Sequence, residues 1–199
     1  QIQDISSTLA GEYTAPKAGD TIVDVCGAPG GKSLNAALKM SEQGDCGRVI
    51  ARDLSDYKVA LIDENIKRLN ITNIQTQVYD ALDCDESLIN KADIVIADLP
   101  CSGLGIIGRK PDIKYNASPE KLQSLVDLQR DILKVVSRYV KSGGVLMYST
   151  CTINRAENED NADWICKESG FTKDGEYHQL LPANNSGMDG FFVARLIKS

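Results

Sequence analysis

The chain alternates between short apolar runs and longer segments in which apolar residues recur every three or four positions. The short runs are rich in β-branched residues, and several are apolar at successive positions, as is typical of strands that are covered on both faces. We therefore predict strands at TIVDVC (21–26), RVIARD (48–53), IQTQVY (74–79), ADIVIADL (92–99), GVLMYST (144–150) and GFFVARLIK (190–198).

Helical periodicity fills the segments between these strands and predicts helices near 31–41, 56–70 and 119–141. The last of these carries apolar residues along one face, at Leu122, Leu125, Ile132, Val136 and Tyr139. Asn154 followed by Glu157 predicts a further helix start. This alternation predicts an α/β protein with right-handed βαβ units, a doubly wound parallel sheet and one domain over residues 1–199. Ligands of such sheets bind beyond the carboxyl ends of the strands.

A glycine-containing turn follows the first predicted strand. In DVCGAPGGKS (24–33), Gly27, Gly30 and Gly31 let a ligand approach backbone N–H groups at a helix N-terminus. The spacing matches neither the dinucleotide-binding G-x-G-x-x-G pattern nor the phosphate-binding G-x-x-x-x-G-K-[ST] pattern. Asp53 ends the second strand, where an acid can hold ribose hydroxyls. Together these features predict an adenosine-type cofactor without a pyrophosphate, and S-adenosylmethionine fits that description better than a dinucleotide.

Acidic residues and cysteines follow several strand ends. Asp53, Asp80 and Asp98 end three consecutive strands and should line one crevice, although each alone would more often be a solvated carboxylate. Cys101, in ADLPCSGLG, and Cys151, in LMYSTCTINRAENED, both lie just beyond strands that we expect to be adjacent. The other four cysteines are expected to be buried small side chains or bystanders: Cys26, Cys46, Cys84 and Cys166.

A thiol beside a methyl donor indicates a carbon acceptor. Carbon-5 of a pyrimidine is a weak nucleophile, but a thiolate that adds to carbon-6 makes carbon-5 enamine-like, and later elimination of the thiol restores aromaticity. An acid near the ring nitrogen would help this addition by supplying or sharing a proton, and Asp98 is the nearest candidate along the sequence. The thiol must be ionised, and the N-terminus of the helix predicted after Asn154 would favour this for Cys151.

Composition and charge narrow the possibilities. Twenty-two Lys and Arg against 28 Asp and Glu give a net charge of -6. This charge argues against a domain whose main function is to bind nucleic-acid phosphates, because such domains are usually basic. An enzyme with a local basic patch stays possible. No apolar run approaches the roughly 18 residues of a membrane span, no cysteine pair has metal-binding C-x-x-C spacing, and His178 is the only histidine. We expect a monomeric, cytoplasmic protein with neither membrane association nor a metal.

Five segments, taken together, resemble the RNA cytosine-5 methyltransferases of the Sun/RsmB type: QDISS (3–7), DVCGAPGGKS (24–33), DLPCSGLGIIGRKPDIKY (98–115), GGVLMYSTCTINRAENE (143–159) and DGFFVARL (189–196). The resemblance implies a Rossmann-like class I methyltransferase sheet whose last strand is antiparallel, S-adenosylmethionine as the cofactor and RNA as the substrate. It favours small-subunit ribosomal RNA, with transfer RNA as the alternative. Met188, before the last segment, stands where the family often has a histidine.

The same resemblance implies roles for individual residues. Cys151 matches the nucleophile, and Cys101 matches the thiol that assists product release. The cofactor-binding positions are implied to be Cys26, Gly27, Ala28, Pro29, Gly30, Gly31, Lys32, Asp53, Asp80 and Asp98. RsmB-type proteins also carry an N-terminal RNA-binding domain to which nothing here corresponds, so we expect the chain to be the catalytic part. Arg109, Lys110 and Lys114 would then be local phosphate partners.

Two other interpretations stay open. A Rossmann module that only binds a nucleotide, with inert cysteines, is disfavoured by the atypical glycine spacing and by the paired strand-end cysteines. A pyrimidine methyltransferase acting on uracil or on DNA cytosine is disfavoured by the family motifs.

Overall fold

The computed structural model of the protein describes residues 11–44, 47–182 and 189–199, so that QDISS (3–7), Cys46 and Met188 lie outside the described residues. The strands are β1 (Thr21–Asp24), β2 (Arg48–Asp53), β3 (Ile74–Val78), β4 (Ala92–Asp98), β5 (Val140–Thr150), β6 (Phe171–Lys173), β7 (His178–Leu180) and β8 (Phe191–Lys198). The longer helices are α1 (Gly31–Glu42), α2 (Asp56–Leu69), α3 (Pro119–Val136) and α4 (Glu159–Ser169). Single turns of helix lie at Glu86–Leu88, Leu104–Ile106, Ile113–Asn116 and Arg155–Glu157.

The described strands form one sheet in the order β3-β2-β1-β4-β5-β8-β6, and β7 also pairs with β8. Strands β1 to β5 are parallel, whereas β8 runs antiparallel to β5 with Val145 opposite Ile197. The mostly parallel, doubly wound sheet with an antiparallel last strand is therefore confirmed. The strand order reverses between β1 and β4, and such a switch point opens a crevice beyond the carboxyl ends of the strands.

Helices cover both faces of the sheet. In β1, Ile22 belongs to the apolar cluster that contains Leu34 of α1, whereas Val23 belongs to the cluster that contains Leu133 of α3 and Ile165 of α4. All five side chains are buried. Because successive residues of a strand point to opposite faces, a sheet covered on both faces needs apolar residues at successive positions. This is the pattern from which the strands were predicted.

The helix predicted at 119–141 is too long at its C-terminal end. It stops at Val136, and β5 begins earlier than predicted, at Val140. The Ala92 N–H donates to the carbonyl of Tyr139 at 2.9 Å, and Val140 pairs with Ala92. Tyr139 is buried, so its helical spacing correctly indicated burial. The backbone at Tyr139 and Val140, however, bonds to the start of β4 and does not continue the helix.

Two further elements differ from the expected pattern. Strands β6 and β7 have three residues each, which is too short for alternation to show in the sequence. The connection from β3 to β4 contains only the 3₁₀ turn Glu86–Leu88 in place of a crossover α-helix. None of the described helices is both long enough and apolar enough to cross a membrane.

Candidate active site

The glycine-containing turn after β1 is held against the end of β2. The Gly27 N–H donates to the carbonyl of Arg52 at 2.7 Å, and the Ala28 N–H donates to the carboxylate of Asp53 at 3.0 Å. Gly30 precedes α1 with a φ of 103°, a conformation that strains any residue with a side chain. The turn therefore lies at the carboxyl edge of the sheet, where α1 begins.

A cavity of about 370 Å³ lies at this edge. Asp53, Asp80 and Asp98 all line it, in agreement with the expectation that three strand ends meet in one crevice. Cys101 and Cys151 line the same cavity. The family resemblance assigns further positions to the cofactor, and two of them, Cys26 and Ala28, also line the cavity. The remaining ones belong to the turn and to the first turn of α1: Gly27, Pro29, Gly30, Gly31 and Lys32. One crevice thus joins Cys26, Ala28 and the three acids to both candidate thiols, while the other five candidate cofactor positions adjoin it without lining it.

Asp53 is fixed by three neighbours. Besides the Ala28 N–H, its carboxylate accepts from the Leu54 N–H at 2.8 Å and forms an ion pair with Lys58 at 3.0 Å. Its side chain is buried, whereas that of Lys58 is about half exposed. Lys58, in the first turn and a half of α2, is not signalled by any motif in the sequence. It is found only because Ser55 caps α2, only Leu54 separates this cap from the end of β2, and Lys58 therefore pairs with Asp53.

Asp98 is held from two sides. The Lys32 ammonium lies 2.6 Å from Oδ2, and the Ser149 hydroxyl donates to Oδ1 at 2.7 Å. Lys32 is nearly buried, so this ion pair compensates a charge that would otherwise be costly to bury. Ser149 adjoins Asp98 because β5 pairs with β4 in register at these two residues. A serine within an apolar strand gave no indication of this contact.

Asp24 lies beneath the turn and was not among the predicted site residues. It is fully buried, and burial raises the pKa of its carboxyl group to about 7. The Ser33 hydroxyl donates to Oδ2 at 2.6 Å, while Oδ1 has no hydrogen-bond partner among the described residues. A Cβ at Gly27 would come within 3.2 Å of this carboxyl group, so Asp24 forms the floor against which the turn packs.

The two thiols are in direct contact. The Sγ atoms of Cys101 and Cys151 lie 3.3 Å apart. The hydrogen bond from Cys101 lowers the pKa of Cys151, with a smaller contribution from the Lys32 ammonium, while burial and Asp98 oppose it. The bond to Cys151, together with burial, raises the pKa of Cys101. This arrangement favours a thiolate at position 151 with a neutral thiol beside it.

The helix start after Cys151 differs in form from the predicted one. Asn154 does begin a helical segment, but the segment is the 3₁₀ turn Arg155–Glu157, and α4 begins only at Glu159. The Ala156 and Glu157 N–H groups donate to Asn154, to its side chain at 3.3 Å and to its carbonyl at 3.0 Å. The predicted position of the helix start was thus correct. The N–H groups of Ala156 and Glu157 are bonded to Asn154, and an effect of the helix N-terminus on Cys151 stays a prediction beside the hydrogen bond from Cys101.

Histidine and metal chemistry, neither of which was predicted, can be compared with the structure. His178 lies in β7, where its ring stacks on Tyr13 with 4.4 Å between centroids, and it does not line the crevice. Within the ranges that the structure describes, no group of three or more His, Cys, Asp or Glu side chains could hold a metal ion.

A basic and aromatic segment borders the thiols. Lys110 and Lys114 are exposed, and the Lys114 ammonium lies 4.8 Å from the centroid of the Tyr115 ring, which is 80% exposed. Arg109 forms an ion pair with Asp189 at 3.0 Å. A second cavity, of about 320 Å³, lies between this segment and α3, and its lining includes Cys101, Ser102, Ile113, Lys121, Leu122 and Leu125. We call the segment 109–121 the basic flank.

The sheet order and the antiparallel last strand define the class I methyltransferase fold. Two solved structures with this fold are similar to the chain over almost its entire length. The crystal structure of PH0851 superposes with a TM-score of 0.91 and 31% identity, covering 100% of this chain and 47% of that one. The structure of NSun6 from Pyrococcus horikoshii with SFG superposes with a TM-score of 0.85 and 27% identity, covering 98% of this chain and 52% of that one.

Residues 12–197 match the family described as 16S rRNA methyltransferase RsmB/F, and the chain belongs to this family. The probable ribosomal RNA small subunit methyltransferase B of Bacillus subtilis (strain 168) is 38% identical, over 99% of this chain and 47% of the relative. The corresponding protein of Synechocystis sp. is 34% identical, over 100% of this chain and 47% of the relative. The chain therefore spans about half the length of these curated relatives.

Proposed function

We propose that the chain transfers the methyl group of S-adenosylmethionine to carbon-5 of a cytosine in RNA, through a covalent adduct with Cys151. The observation that carries this proposal is the contact between two thiols in the same crevice as the strand-end acids. Nitrogen and oxygen acceptors are already nucleophilic and need no thiol, whereas carbon-5 does. Membership of the RsmB/F family, and relatives named as small-subunit ribosomal RNA methyltransferases, favour that RNA as the substrate.

The crevice fits the proposed cofactor. Asp53 would accept hydrogen bonds from the ribose hydroxyls, because its carboxylate ends β2 beside the turn. Asp80 and Asp98 line the same cavity, and their negative charge suits the positively charged sulfonium of this cofactor. The related NSun6 structure with SFG, an S-adenosylmethionine analogue, gives independent support. When bound, the cofactor would supply an electrophilic methyl group.

The chain's own residues would then act in sequence. The Cys151 thiolate adds to carbon-6 of the cytosine, which forms a carbon–sulfur bond and raises the electron density at carbon-5. After methyl transfer a base removes the carbon-5 proton, the electron pair of that bond restores the ring double bond, and the carbon–sulfur bond breaks. Cys101 assists this last step because its thiol can donate to the departing sulfur across the 3.3 Å contact.

Asp98 and Lys32 would serve the ring nitrogen of the cytosine. Addition of a thiolate to carbon-6 places negative charge on the ring, which a shared proton can neutralise. Asp98 lines the crevice beside Cys151, and the Lys32 ammonium lies 2.6 Å from its carboxylate. The pair, rather than the carboxyl group alone, is therefore the proposed proton source.

The basic flank would contact the RNA beside the target base. Lys110 and Lys114 can meet phosphates, and the exposed ring of Tyr115 can stack on a base. The flank adjoins Cys101 through the second cavity, so nucleotides bound there would be neighbours of the reacting cytosine.

The decisive experiment separates the two thiols by the step that each serves. With a small-subunit ribosomal RNA fragment and the cofactor, the Cys101→Ala protein should accumulate a protein–RNA adduct that survives denaturing electrophoresis. Cys151→Ala and the double variant should form neither adduct nor methylated product, because no bond to carbon-6 can form. Cys166→Ala, which replaces a free cysteine outside the crevice, should behave like the unmodified chain.

Other outcomes would redirect the proposal. Adduct in Cys151→Ala alone would exchange the two roles and keep the chemistry. Full methylation by both single variants would remove covalent catalysis. A nucleotide-binding module without catalysis would be recognised by its ligand, since a ligand that binds the native state raises the unfolding midpoint. S-adenosylhomocysteine should raise it, and NAD should not.

A further inference from the structure

Glu157 is a fully buried acid that joins the two cysteine loops. Its Oε2 accepts from the backbone N–H of Ser102, the residue after Cys101, at 2.8 Å. Its Oε1 accepts from the side-chain amide of Asn154, in the loop after Cys151, at 2.9 Å. One carboxylate thus bonds simultaneously to the segments that carry the two thiols, although it belongs to neither strand end.

Gln129 of α3 completes this connection. Its amide nitrogen donates to the carbonyl of Pro100 at 2.8 Å and to Oε2 of Glu157 at 3.1 Å. Its amide oxygen accepts from Asn161 of α4 at 2.8 Å. The backbone is therefore held on both sides of Cys101, at Pro100 and at Ser102, by two buried side chains that also bond to each other. Both amide hydrogens and the amide oxygen have partners, as a stable buried polar network requires.

A hydroxyl pair links the loops a second time. The side chains of Ser102 and Thr152, the residues after the two cysteines, share a hydrogen bond of 2.7 Å. Thr152 also accepts from the Asn154 N–H at 3.2 Å, and its carbonyl accepts from the Asn158 side chain at 3.0 Å. The contact between the thiols is consequently set by neighbours on either side of it.

We propose that Glu157 and Gln129 are positioning residues that hold Cys101 and Cys151 in contact for the covalent reaction. The inference rests on the proposed function for its chemical meaning. Its geometric content, that this pair of residues sets the thiol–thiol contact, does not depend on methyl transfer. The consequence for Cys151 is direct, because the Cys101 thiol can stabilise the Cys151 thiolate only while it stays within hydrogen-bond distance.

The test measures this thiol contact as well as the reaction. Glu157→Ala removes the acceptor for Ser102 and Asn154, so the loops should separate and the pKa of Cys151 should rise by about one to two units, the scale of a hydrogen bond to an ionised group. The rise would be read from iodoacetamide alkylation of Cys151 across a pH series, quantified by peptide mass spectrometry. The methylation rate constant should fall on the order of a hundredfold, as for a misplaced reacting group.

Three comparison proteins make the result specific. Cys101→Ala, which deletes the donor itself, should give the same rise in the pKa of Cys151. Glu157→Gln should recover most of the lost rate and of the pKa shift, because its amide oxygen can still accept from Ser102 and Gln129. Asp93→Ala removes another carboxylate that accepts a backbone N–H, from Thr21 at 2.9 Å, at the opposite edge of the sheet. It should leave the alkylation profile unchanged.

An unchanged alkylation profile in folded Glu157→Ala would overturn the proposal, as would a similar shift in Asp93→Ala. If Glu157→Ala fails to fold, Gln129→Met decides instead, because it keeps a side chain of similar length and removes the hydrogen bonds to Pro100 and Glu157. The pKa of Cys151 should rise in Gln129→Met, and the absence of a rise would contradict the proposal. A pKa shift in these variants together with full methylation by Cys151→Ala would retain the positioning role and reject the covalent function.

Discussion

Asp24 shows how one residue can support the glycine-containing turn at a cost to stability. Its carboxyl group has a pKa near 7 in the folded protein, against 3.8 as the ordinary value, because burial disfavours the charged form. Between these values the folded chain binds a proton that the unfolded chain releases. Stability should therefore fall as the pH rises through this window, the reverse of the dependence for a salt-bridged acid. At neutral pH the turn rests on a group close to its titration midpoint.

The Asp24→Asn variant should lack this dependence, because an amide has the shape of the neutral acid and does not ionise. The difference in free energy of unfolding between variant and unmodified chain should grow from pH 4 toward pH 8, by up to about 4 kcal/mol at roughly 1.4 kcal/mol per pKa unit. Urea unfolding at a series of pH values measures it, and taking the difference cancels the titration of other groups. A difference that is constant with pH would show that Asp24 ionises normally.

At the scale of elements, three segments meet behind the thiols: the loop after β4, the loop after β5 and the residue before β8. The Gly105 N–H donates to the carbonyl of Cys151 at 3.1 Å, and the Gly190 N–H donates to the carbonyl of Gly105 at 2.8 Å. A Cβ at Gly105 would lie 2.8 Å from the Cys151 carbonyl oxygen and closer still to that of Gly190. Close backbone packing, rather than an unusual φ, is what requires glycine here.

Gly105→Ala should therefore destabilise the chain by about 1–3 kcal/mol, since neither carbonyl is the flexible end of a side chain. Gly108→Ala is a matched control in the same loop, because a Cβ there would meet nothing within 4 Å. Chemical denaturation of the two variants tests the difference. Equal stability of both would mean that the loop shifts freely, and the three-segment contact would then not hold the thiol loops.

The same elements show what the sequence could and could not predict. Strands buried on both faces are apolar at successive positions, so they could be predicted from the sequence. Because the carboxyl ends of parallel strands meet at one edge of the sheet, the acids and thiols after them could be predicted to lie close together. The supporting residues could not be predicted in this way. Ser149 reaches Asp98 through strand pairing, and Gln129 reaches Pro100 from a helix 29 positions away in sequence. Such contacts depend on the register and packing of distant segments, which leave no local periodicity.

For the molecule as a whole, the distribution of charge matters more for RNA binding than the net charge does. The chain has a net charge of -6, yet the basic flank carries Lys110, Lys114 and Lys121, and Lys121 lines the second cavity together with Cys101. An overall negative charge repels RNA, and a local positive patch attracts it at one place. We therefore expect the chain to bind RNA weakly and with a strong dependence on salt.

Replacing Lys110, Lys114 and Lys121 by glutamine should weaken binding to a ribosomal RNA fragment. The slope of log affinity against log salt should decrease by about two, at roughly 0.7 for each single-strand phosphate contact. Fluorescence anisotropy over a salt series measures both the affinity and its salt dependence.

A control variant with glutamine at Lys67, Lys91 and Lys167 makes the same change in net charge. These exposed lysines lie at or near the ends of α2, β4 and α4 that face the opposite edge of the sheet. That control should leave the slope unchanged. Equal losses in both triple variants would mean that net charge alone governs binding, whereas an unchanged slope in the flank variant would place the RNA elsewhere.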